Sequence, residues 1–181
     1  MRTAARTGYH LPVSLNSPYL PAVGLVAHLE KEDRDSLSSY GTFHLATPGT
    51  VVIEQGKPHG KLFFIISGIL HARRADQGND ILLGRIQQGE WMGEVDLFDP
   101  SAAICSVVAI EQCQYWVITR DNLEEFINNY PSAGTMLLIG LASTLGRRIR
   151  DLTSTIAQQA ELSQLRETLF QHSELPPAGE A

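Results

Sequence analysis

The sequence predicts a mainly β domain, a barrel or sandwich, with helices at both ends. Three observations carry this. Between Phe43 and about Thr119 the apolar residues fall in short β-branched or aromatic runs: TVVIEQG, LFFIISGILHARR, ILLGRI and CSVVAI. Turn residues punctuate those runs at Pro48-Gly49, Gly56-Lys57-Pro58, Gly60, Gly68, Gly78-Asn79-Asp80, Gly89, Gly93 and Pro100. Short strands at roughly ten-residue spacing with turn chemistry between them are the pattern of an all-β barrel or sandwich. No helical stretch interrupts the region, which argues against alternating strands and helices.

The elements follow in order. The opening MRTAARTGYHLPVSLNSPYLP has arginines, no acid before Glu30 and no apolar core of a signal peptide. Residues 1–22 are therefore expected to form a loose, Pro-containing arm. In GLVAHLEKEDRDSLSSY, Leu25, Leu29 and Leu37 can share a helical face, which predicts one or two short helices over 24–40. The strands come next. Beyond them Asp121 suits an N-cap, with Glu124 three residues on as a capping box. LEEFINNYP is then a short helix stopped by Pro131. Ser132 is placed to cap the next helix, which carries Met136, Leu137, Ile139, Leu141 and Leu145.

Leu145, Ile149, Leu152 and Ile156 continue that helix at four–three–four spacing, an amphipathic seam. The spacing breaks at 157–161 and resumes at Leu162, Leu165 and Leu169. One long helix to about residue 170 is expected, less regular in its second half, with SELPPAGEA at 173–181 frayed. The seam has two readings: a helix folded onto its own domain, or a partner helix for a second copy. The second is preferred, because a stripe carried so far past the last strand has little of its own domain left to cover. The predicted division is an arm at 1–22, a domain at 23–155, an extension of the dimer helix at 156–172 and a disordered tail at 173–181.

Bulk properties narrow the function. A chain of 181 residues buries most of its unfolded surface as one domain and needs no staples. The formal net charge of −6 argues against a polyanion partner. The densest basic run, GRRIR at 146–150, is short and adjoins Asp151. The apolar run SAGTMLLIGLASTLG at 132–146 falls short of the ~20 residues of a membrane span. Cys105 and Cys113 form no CxxC pair and there is no secretory signal, so reduced thiols in a cytoplasmic protein are expected.

Taken together, four segments resemble a known family. They are PGTVVIEQGKPHGKLFFIISGIL, ILLGRIQQGEWMGEVDLF, SVVAIEQCQYWVITRDNLEEFINNYP and LLIGLASTLGRRIRDL. In this order and spacing, from about 24 to 155, the chain is similar to the cyclic-nucleotide-binding domain, the sensor module of bacterial catabolite activators and of cAMP-dependent kinase regulatory subunits. The resemblance implies an eight-stranded β-roll (a double-stranded β-helix, jelly-roll-like), a short helical lead, a small helix inside a ligand cassette and a final helix that commonly dimerises. In that family the cassette resembles Gly-Glu-hydrophobic-Ala-Leu, then Pro-Arg-Ala-Ala-Thr-Val. Its phosphate rests on backbone N–H groups at a helix start, an arginine pairs with the phosphate, and the glutamate accepts the ribose 2′-hydroxyl.

Laid on this chain, the pattern puts Gly93 and Glu94 on the Gly-Glu pair, Val95 on the hydrophobic residue, Cys105 on the second small residue and Ser106 on the hydroxylic one. The arginine position falls on Ala103, and the small residue beside the phosphate falls on Asp96. The implied sugar contact is kept while the phosphate contact is lost. Losing a charge-assisted hydrogen bond costs about 1.5–3 kcal/mol. A carboxylate roughly 5 Å from a phosphate adds about 3 kcal/mol at an effective dielectric near 20. Together these weaken binding about a thousandfold, unless Arg73, Arg74 or Arg85 on neighbouring strands compensates.

Other chemistries fare worse. An iron–sulfur cluster needs about four thiolates and the chain has two. Histidines at 10, 28, 44, 59, 71 and 172 have no close pairing, so neither zinc nor any other metal is expected. His44, His59 and His71 read as structural rather than haem ligands. Glu94 with Asp96 imitates an acid–base pair, but no nucleophile motif accompanies it. Nothing after Ile156 has the two-helix pattern or basic face of a DNA reader, and the PPAGEA tail reads as a natural end. The expectation is a non-enzymatic, dimeric, cytoplasmic regulatory protein with no cofactor, nucleic-acid or membrane partner. Its cyclic-nucleotide site is altered, it pairs with a second copy through the helix face of Leu145, Ile149, Leu152 and Ile156, and it acts by contacting another, unidentified protein. The alternative is a working nucleotide sensor with an atypical pose.

Overall fold

The computed structural model describes residues 18–173. Of the arm expected at 1–22, residues 1–17 lie outside the described residues, as do residues 174–181 of the tail expected at 173–181. A short 3-10 helix, Gly24–His28, and α1 (Lys31–Ser39) lead into eight strands. These are β1 (Thr42–Ala46), β2 (Val51–Ile53), β3 (Lys61–Ser67), β4 (Ile69–Asp76), β5 (Asn79–Gln87), β6 (Trp91–Met92), β7 (Ser106–Ala109) and β8 (Cys113–Thr119). A one-turn helix, α2 (Glu94–Phe98), separates β6 from β7, and α3 (Arg120–Asn129) and α4 (Pro131–Ser173) follow β8.

The strands form two four-stranded antiparallel sheets, β1-β8-β3-β6 and β2-β7-β4-β5. Their facing sides make the roll interior, where Phe63, Ile65, Met92 and Val117 meet Leu70, Ile86, Val107 and Ala109. β3 shows what this costs in sequence pattern. Leu62 to Ile66 are all buried, so the usual alternation is absent. Odd positions face the roll; even positions face the other side of the sheet, where Phe64 lies 4.8 Å from the Trp91 ring. A strand covered on both faces reads as a continuous apolar run.

That outer face is tied to the helices by one directed bond. Trp116 is fully buried and its Nε1 donates to the Ser38 carbonyl of α1 at 3.1 Å. Tyr40, just past α1, packs edge-on to Phe126 of α3 with ring centroids 5.5 Å apart. Asn122 Nδ2 donates to the Tyr40 carbonyl and Asn129 Nδ2 to its hydroxyl.

Several boundary expectations are corrected. The N-cap of α3 is Thr119, whose hydroxyl accepts from the Asn122 N–H, and not Asp121. Glu124 accordingly pairs with Arg120 one turn away rather than closing a capping box. Pro131 is itself the first residue of α4, where its missing N–H is no loss, so Ser132 lies within the helix and does not cap it. The β4–β5 turn is Gln77-Gly78, with φ of 48° and 85°, the two-residue turn with both residues left-handed. Asn79 and Asp80 already belong to β5. Cys105 lies one residue before β7 rather than inside a strand. β5 ends its sheet and carries three successive exposed apolar residues, Ile81, Leu82 and Leu83.

The chain divides into two compact units, 1–138 and 139–181. In the second, Ile149, Leu152 and Ile156 are 63%, 63% and 65% exposed while Leu145 is half-buried. α4 runs without interruption to Ser173, and the side chain of Leu169 lies outside what is described. Among the described residues no helix is long and apolar enough to cross a membrane.

Trp116→Phe is expected to destabilise the domain by about 1–3 kcal/mol, because it leaves the Ser38 carbonyl without its donor and opens a void beside Trp91. Urea unfolding followed by circular dichroism checks this; an unchanged midpoint would contradict it.

Candidate functional site

The cassette predicted at 93–107 is one continuous region of the roll, and two turns hold it. Gly93 precedes α2 with φ 88°. A Cβ there would fall 2.4 Å from the Lys61 carbonyl oxygen and 2.9 Å from His59 Cε1, so only glycine lets α2 lie this close to the start of β3. Glu94, Asp96 and Leu97 of α2 face inward and are buried, whereas Val95 is 47% exposed and faces away.

The strongest feature of the site is one the sequence did not reveal. Asp96 is 4% exposed, and its carboxylate is surrounded by backbone donors. The His59 N–H donates to Oδ2 at 2.7 Å, the Gly60 N–H donates to the same oxygen, and the Ser101 N–H donates to Oδ1 at 2.9 Å. These bonds join α2 to the β2–β3 turn and to the loop that follows α2. The expectation that Asp96 presents a bare charge to the ligand space is thereby modified: its charge is solvated by three N–H dipoles.

Among the described residues no cation takes part. His59 Nδ1 lies 3.3 Å from Asp96 Oδ2, but the Lys61 N–H donates to that same Nδ1 at 3.1 Å. Nδ1 is therefore an acceptor and the ring proton sits on Nε2. Burial holds His59 below the ordinary imidazole range, against the pull of Asp96. The two groups are neighbours, not an ion pair.

Two more links close the same seam. The Ala103 N–H donates to the Lys57 carbonyl at 3.2 Å and the Gly56 N–H donates to the Ala103 carbonyl at 2.8 Å. Ser106 Oγ accepts from the Gln55 N–H at 3.0 Å, so this hydroxyl serves the fold. Ala103 and Cys105 are half-buried and pack on the roll core. Burial pushes the Cys105 thiol up, Glu94 adds to this and Arg74 opposes it. Leu70, Ala72 and Arg74 share one face of β4 by strand alternation. Leu70 belongs to the core and Ala72 packs against it, so the exposed Arg74 extends the interior face past its rim, within electrostatic reach of Cys105. Of the three arginines weighed from sequence, Arg73 is paired with Asp80 at 2.6 Å. Arg85 stands opposite His71 on β4, on the other face from Arg74.

The structure thus brings Gly93, Glu94, Asp96, Ala103 and Cys105 together, leaves Val95 exposed and engages Ser106 with the Gln55 N–H. The partners sequence reasoning missed are the His59, Gly60 and Ser101 amides. Two of these main-chain donors lie 36 and 37 positions from Asp96 and one lies five away, and none leaves a mark in side-chain spacing; the one local signal was Gly60 in a turn. Among the described residues no group of three or more metal-ligating side chains assembles.

Comparison with known proteins decides the family. Residues 44–130 match the family model described as the cyclic nucleotide-binding domain. This segment belongs to the cyclic nucleotide-binding domain family. A CRP-like cAMP-activated global transcriptional regulator of Mycobacterium tuberculosis is 32% identical over 109 residues, covering 60% of this chain and 49% of that protein. The chain therefore spans about half the length of the curated relatives it matches first. Human patatin-like phospholipase domain-containing protein 6 is 28% identical over 120 residues, 65% of this chain and 8% of that protein. Among solved structures, the catabolite activator protein of Thermus thermophilus is 26% identical, with a TM-score of 0.67, covering 80% of this chain and 63% of that one. The matched relatives are mostly regulators, and the phospholipase-type match takes in only a small part of a much larger protein. The cyclic nucleotide-binding domain here has the expected β-roll of eight strands with a long C-terminal helix.

The Gly60 N–H is the main reason the Asp96 carboxyl falls from 3.8 to about 2, with the His59 and Ser101 N–H groups adding and burial opposing. A pKa depressed in the fold contributes stability that is present above about pH 4 and is lost as pH falls through about 2. Asp96→Asn is expected to cost roughly 1–2 kcal/mol at pH 7, and the gap to wild type should narrow below pH 4. Urea midpoints at pH 7, 5 and 3 check this; a gap independent of pH would contradict it.

Proposed function

We propose that this chain is a non-enzymatic regulatory module whose cyclic nucleotide cassette has lost most of its affinity for cAMP and cGMP, and that it acts as a cytoplasmic dimer on another protein. The observation that carries the reading is the pair Ala103 and Asp96. The cassette has a methyl group where a phosphate-pairing guanidinium would stand, and a buried carboxylate already holds three amides. Because those N–H groups solvate Asp96, the full Coulomb penalty of about 3 kcal/mol is an upper bound. The missing guanidinium alone, about 1.5–3 kcal/mol, weakens binding about ten- to a hundredfold.

The exposed seam of α4 supports the dimer. Leu138, Ala142, Leu145, Ile149, Leu152 and Ile156 alternate at four- and three-residue spacing. That places Ala142, Ile149 and Ile156 at heptad position a and the three leucines at d. β-branched residues at a with leucine at d favour a parallel pair of helices.

A second reading keeps the site alive as a sensor with an atypical pose. Arg74 favours it: this exposed guanidinium lies on the interior face of β4, within electrostatic reach of Cys105.

Calorimetry with cAMP and cGMP distinguishes the two. Against a micromolar reference site, we expect no binding tighter than roughly 10 μM. Micromolar affinity that disappears in Arg74→Ala would establish the sensor instead. Light scattering is expected to return a dimer at tens of micromolar and a monomer for Ile149→Asp, since a charge at a buried a position cannot be accommodated. A wild-type monomer would remove the dimer from the proposal.

A further inference from the structure

A bound anion orders a loop by collecting backbone N–H groups from separate segments onto one charge. In this domain a side chain of the chain itself does so. The Asp96 carboxylate gathers the His59, Gly60 and Ser101 N–H groups. His59 and Gly60 lie in the β2–β3 turn, Ser101 in the loop after α2, and Asp96 on α2, so three segments converge on two oxygen atoms. The groups facing the carboxylate are the neutral His59 ring and main-chain amides. Around it the seam is closed a second and third time, by the Ala103 pairing with Gly56 and Lys57 and by Ser106 with Gln55. Gln55 extends the tie to β4: its side-chain amide donates to the Ala75 carbonyl at 3.1 Å and accepts from the Ala75 N–H at 2.9 Å.

We infer that Asp96 is a resident anion which locks the cassette into its ordered arrangement without any effector, so that the domain sits permanently in one conformational state instead of switching on ligand. The inference rests on the reading of the cassette as one that works without cyclic nucleotide, and it adds the device that makes this possible. Ordering would otherwise wait for a ligand to supply the charge. Supplied covalently, the charge is always present, and an added anion finds those amides already engaged.

Amide hydrogen exchange by NMR on the full chain tests it. In the free wild type the His59, Gly60 and Ser101 amides are expected to be protected, and 1 mM cAMP should not slow them further. In Asp96→Asn, which keeps the side chain's size but sets an NH2 group among donors, these three should exchange at least tenfold faster. Ile65 in β3 and Trp116 in β8 should change less than twofold. Unprotected amides in the free wild type would overturn the inference with no variant needed. So would equal acceleration throughout the roll, which would give Asp96 a global folding role. Micromolar cAMP affinity alongside protected amides would overturn the proposed function and leave the lock standing, so the two failures are distinguishable.

Discussion

Removing a carboxylate from water is costly unless something replaces the water, and at Asp96 the replacement is main chain. The whole cassette is arranged around that requirement. α2 lies against the start of β3 because Gly93 has no side chain to hold it off. The β2–β3 turn presents two consecutive N–H groups toward α2. The loop after α2 bends back so that Ser101 completes the set. Each of these is an ordinary local choice, but together they leave one position from which a negative charge can be satisfied in the absence of a cation. An uncharged residue at 96 would leave three donors facing each other.

The roll supplies the rigidity this arrangement needs. β3 is buried on both faces and pairs with β8 on one side and β6 on the other, so the strand that follows the β2–β3 turn is fixed. β6 ends immediately before Gly93, which anchors the other end of the seam. The two sheets therefore hold the ends of the cassette, and Asp96 holds its middle. Residues 44–130 belong to the cyclic nucleotide-binding domain family, and its β-roll is the frame on which these side chains are mounted.

Much of this was legible in the sequence. The β-branched runs and their turn residues predicted the strand region, and Pro131 marked the boundary between the last two helices. What failed were choices between neighbouring residues of similar chemistry. Thr119 and Asp121 both suit an N-cap, and the length of β8 decided between them. Gln77 has no side-chain reason to adopt a left-handed conformation, yet the two-residue turn requires it, so Gly78-Asn79-Asp80 looked the better turn. At the site, residue identities along 93–107 suggested where a cassette would lie and that Ala103 stands where the resemblance expects an arginine. They could not say how Asp96 is solvated, because its partners are amides, which every residue but proline possesses. The orientation of Arg74 likewise depended on which face of β4 packs inward, which the packing of Leu70 and Ala72 settles.

β5 has one more bearing on the behaviour of this molecule. Among the described residues its outward row of backbone groups has no neighbouring strand, and Ile81, Leu82 and Leu83 leave an exposed apolar stretch along it. Charge at Asp80 and Arg85 and the register irregularity at Leu83, which has no partner on β4, interrupt the flat, continuous template that strand-to-strand polymerisation requires. Substitutions that neutralise either charge would leave the folded core untouched and still lower the concentration at which the protein stays in solution.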